Sequence, residues 1–371
     1  MWIHEQPDWP DFKWDDAILA PLLAEVRHQQ GRLLGRMESM GFSLRQEASL
    51  NTLTSDVVKS SAIEGEVLAT NEVRSSIAQR LGIDIGGILP VSRHVDGIVD
   101  VMLDATQHYQ QSLTKERLCA WHGALFPTGR SGLYVIATGA WRSESVGAMQ
   151  VVSGGFGREK VHFEAPHAGR LSKEMTVFLD WFENETGLDP VLKAGIAHLW
   201  FVTLHPFEDG NGRIARAIAD MALARADKTP FRFYSMSTQI EAERKTYYQE
   251  LEGQQRETVS ITLWLQWFLE CLGRAINNAE TLLHAVVYKA KVWEHANAFP
   301  VNERQTLIVN RMLDGFQGHM NTSKYATLAK CSTDTALRDI QALLKWKVFM
   351  QNPGGGRSTS YRLIDASALE N

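Results

Sequence analysis

The run His205-Pro-Phe-Glu-Asp-Gly-Asn-Gly-Arg-Ile-Ala-Arg216 places a proton-transfer side chain, a carboxylate, a glycine-rich turn and two arginines within twelve residues. A histidine suits a general base acting on an incoming hydroxyl, because its ordinary pKa lies close to neutrality. Asp209 is a candidate Mg²⁺ ligand, since that ion takes one or two carboxylates together with a substrate's own phosphates. Gly210 and Gly212 flank Asn211 and would let a phosphate come close to the backbone. Arg213 and Arg216 are three apart, so they share a helix face and can fork onto further phosphate oxygens. Phe207 is expected to point inward and anchor the loop. These types at this spacing describe phosphate-transfer chemistry.

Two helices must hold the run in place. Asp189-Pro190 supply an N-cap and a proline at the first helical position, and Val191, Ala194, Ile196, Leu199, Trp200 and Val202 follow as apolar residues. Pro206 disfavours helical backbone at His205, so that helix should end there with the imidazole at its mouth. Ile214, Ile218, Met221 and Ala222 recur at helical spacing, which starts a second helix near 211–212. Its first N–H groups lack intrahelical partners and carry partial positive charge, which makes an anion cradle. Other motifs fail on spacing. Read as an EF-hand, the run puts Ile214 where glycine is needed and Asp220 where glutamate is needed. No G-x-x-x-x-G-K-[ST] run occurs, and Gly155-Phe-Gly157-Arg-Glu-Lys160 lacks the third glycine of a dinucleotide fingerprint. A plain helix–turn–helix corner needs neither both arginines nor Gly-Asn-Gly.

The twelve residues match, position for position, the signature H-x-F-x-[DE]-G-N-G-R-x-x-R, and the chain thereby resembles the Fic family, enzymes that mostly transfer AMP from ATP to protein hydroxyls. The resemblance implies ATP as substrate and Mg²⁺ as cofactor. It implies His205 as base, Asp209 as Mg²⁺ ligand, Gly210, Asn211, Gly212 and Arg213 around the phosphates, and Arg216 on the outermost phosphate. Ser60-Ser-Ala-Ile-Glu64-Gly65, taken alone, reads as a helix end with a glycine C-cap. In a Fic chain it resembles the inhibitory motif [S/T]-x-x-x-E-[GN]. Glu64 would then pair with Arg216 as a phosphate does, with Ser60 fixing the helix and Gly65 completing the motif. A gap of roughly 2.7 kcal/mol between closed and open states would suppress activity about a hundredfold.

Residues 146–152 and 161–163 read as two extended runs around Gly154, Gly155 and Gly157, hence a hairpin. It is either an ordinary surface hairpin or, by resemblance, the flap near 146–163 that holds a protein target as an added strand. Trp141-Arg142 resembles the pattern leading into that flap. Tyr247-Tyr248, with Gln254 or Gln255 beyond, resembles the family's adenine-side segment, where Tyr247 and Gln255 would touch the nucleotide. Helix packing is the alternative for such tyrosines.

The rest of the chain sets the frame. Its 371 residues suggest two or three domains, and a net charge of −5 gives no global pull toward nucleic acid or anionic membrane. Three scattered cysteines form no C-x-x-C pair, which fits a reduced, cytoplasmic setting. The acidic start is unlike a signal peptide, and no apolar run reaches membrane-spanning length. A tryptophan- and proline-rich arm should precede a helix over 15–40, and two further helices should fill 91–126, with Thr114 as a cap and His122 as a structural histidine. An apolar helix follows from Thr258, then a further helical stretch to about Trp293 and a boundary near 298–301. Helices over 303–316, 322–330 and 332–347, then a hairpin over 349–363 around 352–356, predict a winged helix-turn-helix. Its excess of basic residues admits DNA binding, and protein docking or dimerisation is the alternative.

The expected fold class is mainly α: an N-terminal helical region (1–110), a Fic-type core with a β-hairpin flap (111–298) and a winged-helix module (299–371). Two classes of function follow. One is a protein adenylyltransferase acting on a Ser, Thr or Tyr hydroxyl, autoinhibited by Glu64 and able to modify itself on release. The other is a nucleotide-sensing DNA-binding regulator. A Fic enzyme that removes AMP or uses another nucleotide donor shares the same residues.

Overall fold

The computed structural model describes the chain except residues 86–89, 154–159, 257, 314, 315, 317, 354–358, 366, 367 and 369–371. The glycine turn between the flap strands and most of the turn in the C-terminal hairpin lie outside the described residues. The chain divides into two compact units, Met1–Ala279 and Glu280–Asn371.

In the first unit the arm makes a short 3₁₀ turn over Ile3–Glu5. It is docked rather than free: Ile3 is fully buried and the His4 imidazole donates to the Glu164 carbonyl at 2.8 Å. Helices α1 (Asp16–Glu38), α2 (Phe42–Ile63), α3 (Thr70–Leu81), α4 (Arg93–Gln107) and α5 (Lys115–Leu125) follow. Side-chain caps start three of these helices, the one at Thr114 as expected from the sequence. Asp15 accepts from the Ala17 N–H, Ser92 from Val95 and Thr114 from Arg117, each satisfying an orphan donor of a first turn. A tight hairpin, β1 (Arg130–Ser131) with β2 (Tyr134–Val135), precedes the antiparallel pair β3 (Gln150–Ser153) and β4 (Lys160–Glu164), in which Gln150 lies opposite Glu164.

Next come α6 (Ala168–Asn184), α7 (Pro190–Leu204), α8 (Asn211–Asp227), α9 (Met236–Ala242), α10 (Arg244–Gln255) and α11 (Thr262–Ala296). α7 is apolar on every side, and all of Val191–Leu204 except Lys193 is buried, as befits a central helix. It packs on α8, which buries Ile214 through Ala224, with α4 and α5 against α8 and α6 against α7. Each fully buried large side chain here, such as Phe201, Leu204 or Ile218, contributes roughly 1.5–3 kcal/mol. α2 packs on α3, α9 and α8, which brings its C-terminal end to the start of α8.

The division into units differs from the expected boundary. Instead of two helical stretches, α11 runs unbroken over Thr262–Ala296, with neither proline nor glycine after Gly273 to stop it, and the units divide within it, at 279/280, ahead of the non-helical segment 297–302. Its last turns belong to the second unit, because Val292 and Ala296 join that unit's core. The rest of that unit is α12 (Glu303–Leu313), α13 (Thr322–Leu328), α14 (Thr333–Lys345) and the antiparallel pair β5 (Phe349–Gln351) and β6 (Tyr361–Leu363). Ile308, Tyr325, Ile340, Leu343 and Phe349 close around each other. Asp339 is buried among them and held by Arg304 at 2.8 Å and Asn302 at 3.1 Å. Among the described residues no helix is long and apolar enough to cross a membrane.

Candidate active site

His205 ends α7 in left-handed backbone, with φ 48 and ψ 56, and its N–H still bonds back to Phe201. Pro206 forbids a further helical turn. The imidazole Nδ1 lies 3.2 Å from the Val202 carbonyl, which can only accept, so Nδ1 carries the proton and Nε2 offers its lone pair. Burial, joined by the nearby Arg142 cation, holds the ring below its ordinary pKa against the opposing pull of Val202, Glu64 and Asp209. The histidine is therefore a neutral base near pH 7.

The loop beyond it is closed from within. Phe207 is fully buried and stacks on His122 with ring centroids 4.1 Å apart. The Asn211 side chain bridges the loop, accepting from the Phe207 N–H at 2.9 Å and donating to the Phe207 carbonyl at 2.8 Å. Both polar atoms of the Asn211 side chain are thus engaged within the loop itself. Gly210 caps α8 at φ 79, and a Cβ there would press on Phe126 at 2.9 Å.

A carboxylate already occupies the cradle. A methyl group on Gly212 would collide with the Glu64 carboxylate, which lies over the start of α8. Arg216 is buried, with 2% of its surface exposed. Its Nε donates to Ser60 Oγ at 2.9 Å, and its Nη2 donates to the Ser60 carbonyl and to Glu64 Oε1, each at 2.8 Å. Its Nη1 has no hydrogen-bond partner and lies 3.4 Å from where a Gly212 side chain would begin. Gly65 turns the chain at φ 85 directly after Glu64. Two residues on, Glu66 Oε2 accepts from Arg213 Nη1 at 3.0 Å, while its other oxygen is bonded to His94. Arg213 also lies 5.1 Å over the Phe126 ring, with its Nε unpartnered. Both arginines of the run therefore converge on one short segment of chain.

Asp209 faces the same mouth, with Oδ1 accepting from the Gly210 N–H at 2.6 Å and Oδ2 from the Ser131 hydroxyl. A lone oxygen donor set of this kind suits a hard cation that draws its other ligands from phosphates and water, so Asp209 fits Mg²⁺. Among the described residues no group of three or more His, Cys, Asp or Glu side chains could hold a metal by itself. Tyr247 and Gln255 lie on the buried face of α10, with Tyr247 beside Arg216. Tyr247 is 1% exposed, with its hydroxyl on His198 at 2.9 Å, and Gln255 is buried, donating to Thr203 at 3.3 Å. The neighbouring Tyr248 also reaches the site, its hydroxyl 3.2 Å from the Ile63 carbonyl and 3.5 Å from Glu64. The signal for this lay in α10 itself: Tyr247, Leu251, Gln254 and Gln255 recur at helical spacing on one buried face. Glu66, Ser131 and Tyr248 have no motif of their own, and only the fold brings them here.

Residues 112–223 match the family model Fic/DOC, and residues 2–83, which carry Ser60 and Glu64, match a family described as a domain of unknown function (DUF4172). Protein adenylyltransferase Fic of Drosophila willistoni is 37% identical over 91 residues, 23% of this chain and 18% of that protein. Protein adenylyltransferase Fic of Nematostella vectensis is 32% identical over 111 residues, 29% of this chain and 24% of that protein. The chain thus spans a quarter or less of the length of these relatives. In fold, a Fic family protein from Desulfovibrio desulfuricans G20 superposes with a TM-score of 0.52 at 23% identity, covering 93% of this chain and 95% of that one. Residues 112–223, which include the whole of the His205–Arg216 loop, are therefore similar to the Fic/DOC family.

Proposed function

We propose that this chain is a protein adenylyltransferase, seen in a closed state in which its own carboxylates stand where phosphates bind. The observation that carries the reading is the convergence of a lone-pair Nε2 on His205 with a glycine-lined helix start and two arginines already holding anions. ATP would replace Glu64, its outer phosphate taking Arg216 and the backbone N–H groups of Gly212 and Arg213 stabilising charge. Asp209 would hold Mg²⁺, whose charge when bound offsets that of the phosphates. His205 Nε2 takes the proton from a Ser, Thr or Tyr hydroxyl of a protein target. That oxygen then bonds to the α-phosphorus as the bond to the bridging oxygen breaks, and pyrophosphate leaves.

The target's route is suggested by β3, whose four residues are all exposed and which, among the described residues, pairs only with β4. An extended target segment laid on that edge would gain main-chain hydrogen bonds and present its hydroxyl to the base. Autoinhibition follows from competition. The charge-assisted bond of about 1.5–3 kcal/mol between Glu64 and Arg216 must be given up before the outer phosphate is clamped.

The test is mass spectrometry of the Glu64→Gly protein, and of the same protein carrying His205→Ala, after incubation with each nucleoside triphosphate. An AMP adduct with ATP, reduced 10²- to 10⁴-fold by His205→Ala, is expected. Adducts of a different mass would replace the donor, and loss of pre-formed AMP would reverse the reaction. No adduct from any donor, or one indifferent to His205, would refute the assignment.

A further inference from the structure

Arg142 is a cation in an unusual setting. It is 3% exposed, and no carboxylate among the described residues pairs with it. A buried guanidinium without a counter-ion is costly, so what it does bind is informative. Its Nε donates to the His205 carbonyl at 2.8 Å. Its Nη2 donates to the Pro166 carbonyl at 2.5 Å and, more distantly, to that of Leu204 at 3.4 Å. Its backbone N–H donates to the Pro206 carbonyl at 2.8 Å. Three consecutive carbonyls, 204 to 206, are therefore fixed by one residue.

Those carbonyls end α7, where intrahelical donors have run out and the helix dipole is negative. They are a fitting partner for a cation. They also frame the one residue of the loop whose backbone is strained, since a non-glycine residue at φ 48 persists only where its surroundings over-determine it. The fourth acceptor, Pro166, lies just past β4, so the same guanidinium fastens the end of the flap to the mouth of α7. A lysine could not do this, because its single ammonium lacks the planar fork that reaches two sides at once.

From these contacts we propose that Arg142 is a positioning residue for the general base: it pins the peptides on both sides of His205 and sets the imidazole against the flap edge on which a target would lie. The inference rests on the reading of His205 as the base. It adds a residue outside the twelve-residue run to the machinery of the reaction.

The test uses the full chain with Glu64→Gly, alone and combined with Arg142→Ala or Arg142→Lys. AMP transfer by the Arg142→Ala protein should fall at least thirtyfold in kcat, while affinity for a fluorescent ATP analogue stays within twofold. Arg142→Lys should recover only part of the loss. Millimolar guanidinium ion, far below denaturing levels, should restore the alanine variant at least fivefold and leave His205→Ala unrescued. A second readout needs no turnover. In ¹⁵N-histidine-labelled protein the His205 Nδ1–H resonance, protected by Val202, should disappear in Arg142→Ala and return with guanidinium. The proposal is overturned if kcat stays within threefold, or if ATP affinity and folding fall together in both variants and guanidinium restores nothing. Should the Glu64→Gly protein transfer no nucleotide at all, the reaction has been misread, and the resonance alone decides the role of Arg142.

Discussion

At the scale of single residues, the site depends on which proton His205 lacks. The Val202 carbonyl fixes the tautomer and burial depresses the pKa, so the lone pair on Nε2 survives into mildly acid solution. The sign follows directly. The base works when neutral, a depressed pKa keeps it neutral at lower pH, and activity is lost only as pH falls through the depressed value. The acid limb of kcat/KM for the Glu64→Gly protein should therefore lie below the ordinary imidazole value of about 6.5. Removing Glu64 also removes one of the groups pulling the pKa upward, which moves the limb further down. Transfer assays between pH 4.5 and 8 check this, and a limb above 6.5 would contradict it. That His205, Asp209, Gly212, Arg213 and Arg216 share one mouth was legible in the sequence because they lie within twelve residues around one turn. The contact of Tyr248 with Glu64 was not, because it joins helices far apart in sequence, while Tyr247, a step of about 100° around α10, meets Arg216 from the buried side.

Among elements, the contact that matters runs between α2 and α8. Asp56, Ser60 and Glu64 are four apart on α2, and they meet Asp220, Arg216 and Gly212, also four apart on α8. Burial, and then the Asp56 carboxylate beside it, raises the Asp220 carboxyl well above the usual range, which eases the repulsion at that rung. This ladder delivers Glu64 to the cradle, and Gly65 turns the chain so that Glu66 reaches Arg213 separately. Glu66 is anchored by His94 at the start of α4, so it should hold Arg213 even when Glu64 is gone. Hence Glu66→Ala added to Glu64→Gly should tighten binding of an ATP analogue by about tenfold, the lower end of a charge-assisted bond's worth. Fluorescence titration reads the difference, and equal affinities would show that Glu66 leaves with Glu64. The motif [S/T]-x-x-x-E-[GN] made the first carboxylate visible in sequence. The second is visible only once α4 and α8 are in place.

For the whole molecule, the helices themselves were the most readable feature, since Thr114 and Asp189 announce their caps and Pro206 announces a stop. The division between units was not readable, because α11 passes through it without a breaker residue. What the first unit hides in its core has a further consequence. His122 lies stacked on Phe207, and His198 lies between Tyr247 and Trp264. Burial lowers their pKa values to about 4 and about 3, respectively. In the unfolded chain both titrate near 6.5. Below that pH the unfolded state binds protons that the folded state refuses, so stability is intact above 6.5 and lost as pH falls toward the folded values. By pH 5 each histidine should cost about 2 kcal/mol, a large share of a total stability of about 5–15 kcal/mol. Asp220 and Asp227, whose pKa values burial raises, act with the opposite sign. The informative quantity is therefore the difference between the natural chain and His122→Gln/His198→Gln. Urea unfolding at pH 7.5 and pH 5 should show the natural chain losing about 4 kcal/mol more than the double variant between the two pH values. Equal losses would mean that the two imidazoles accept protons without unfolding, and that the core around the catalytic loop is more open to water than their burial implies.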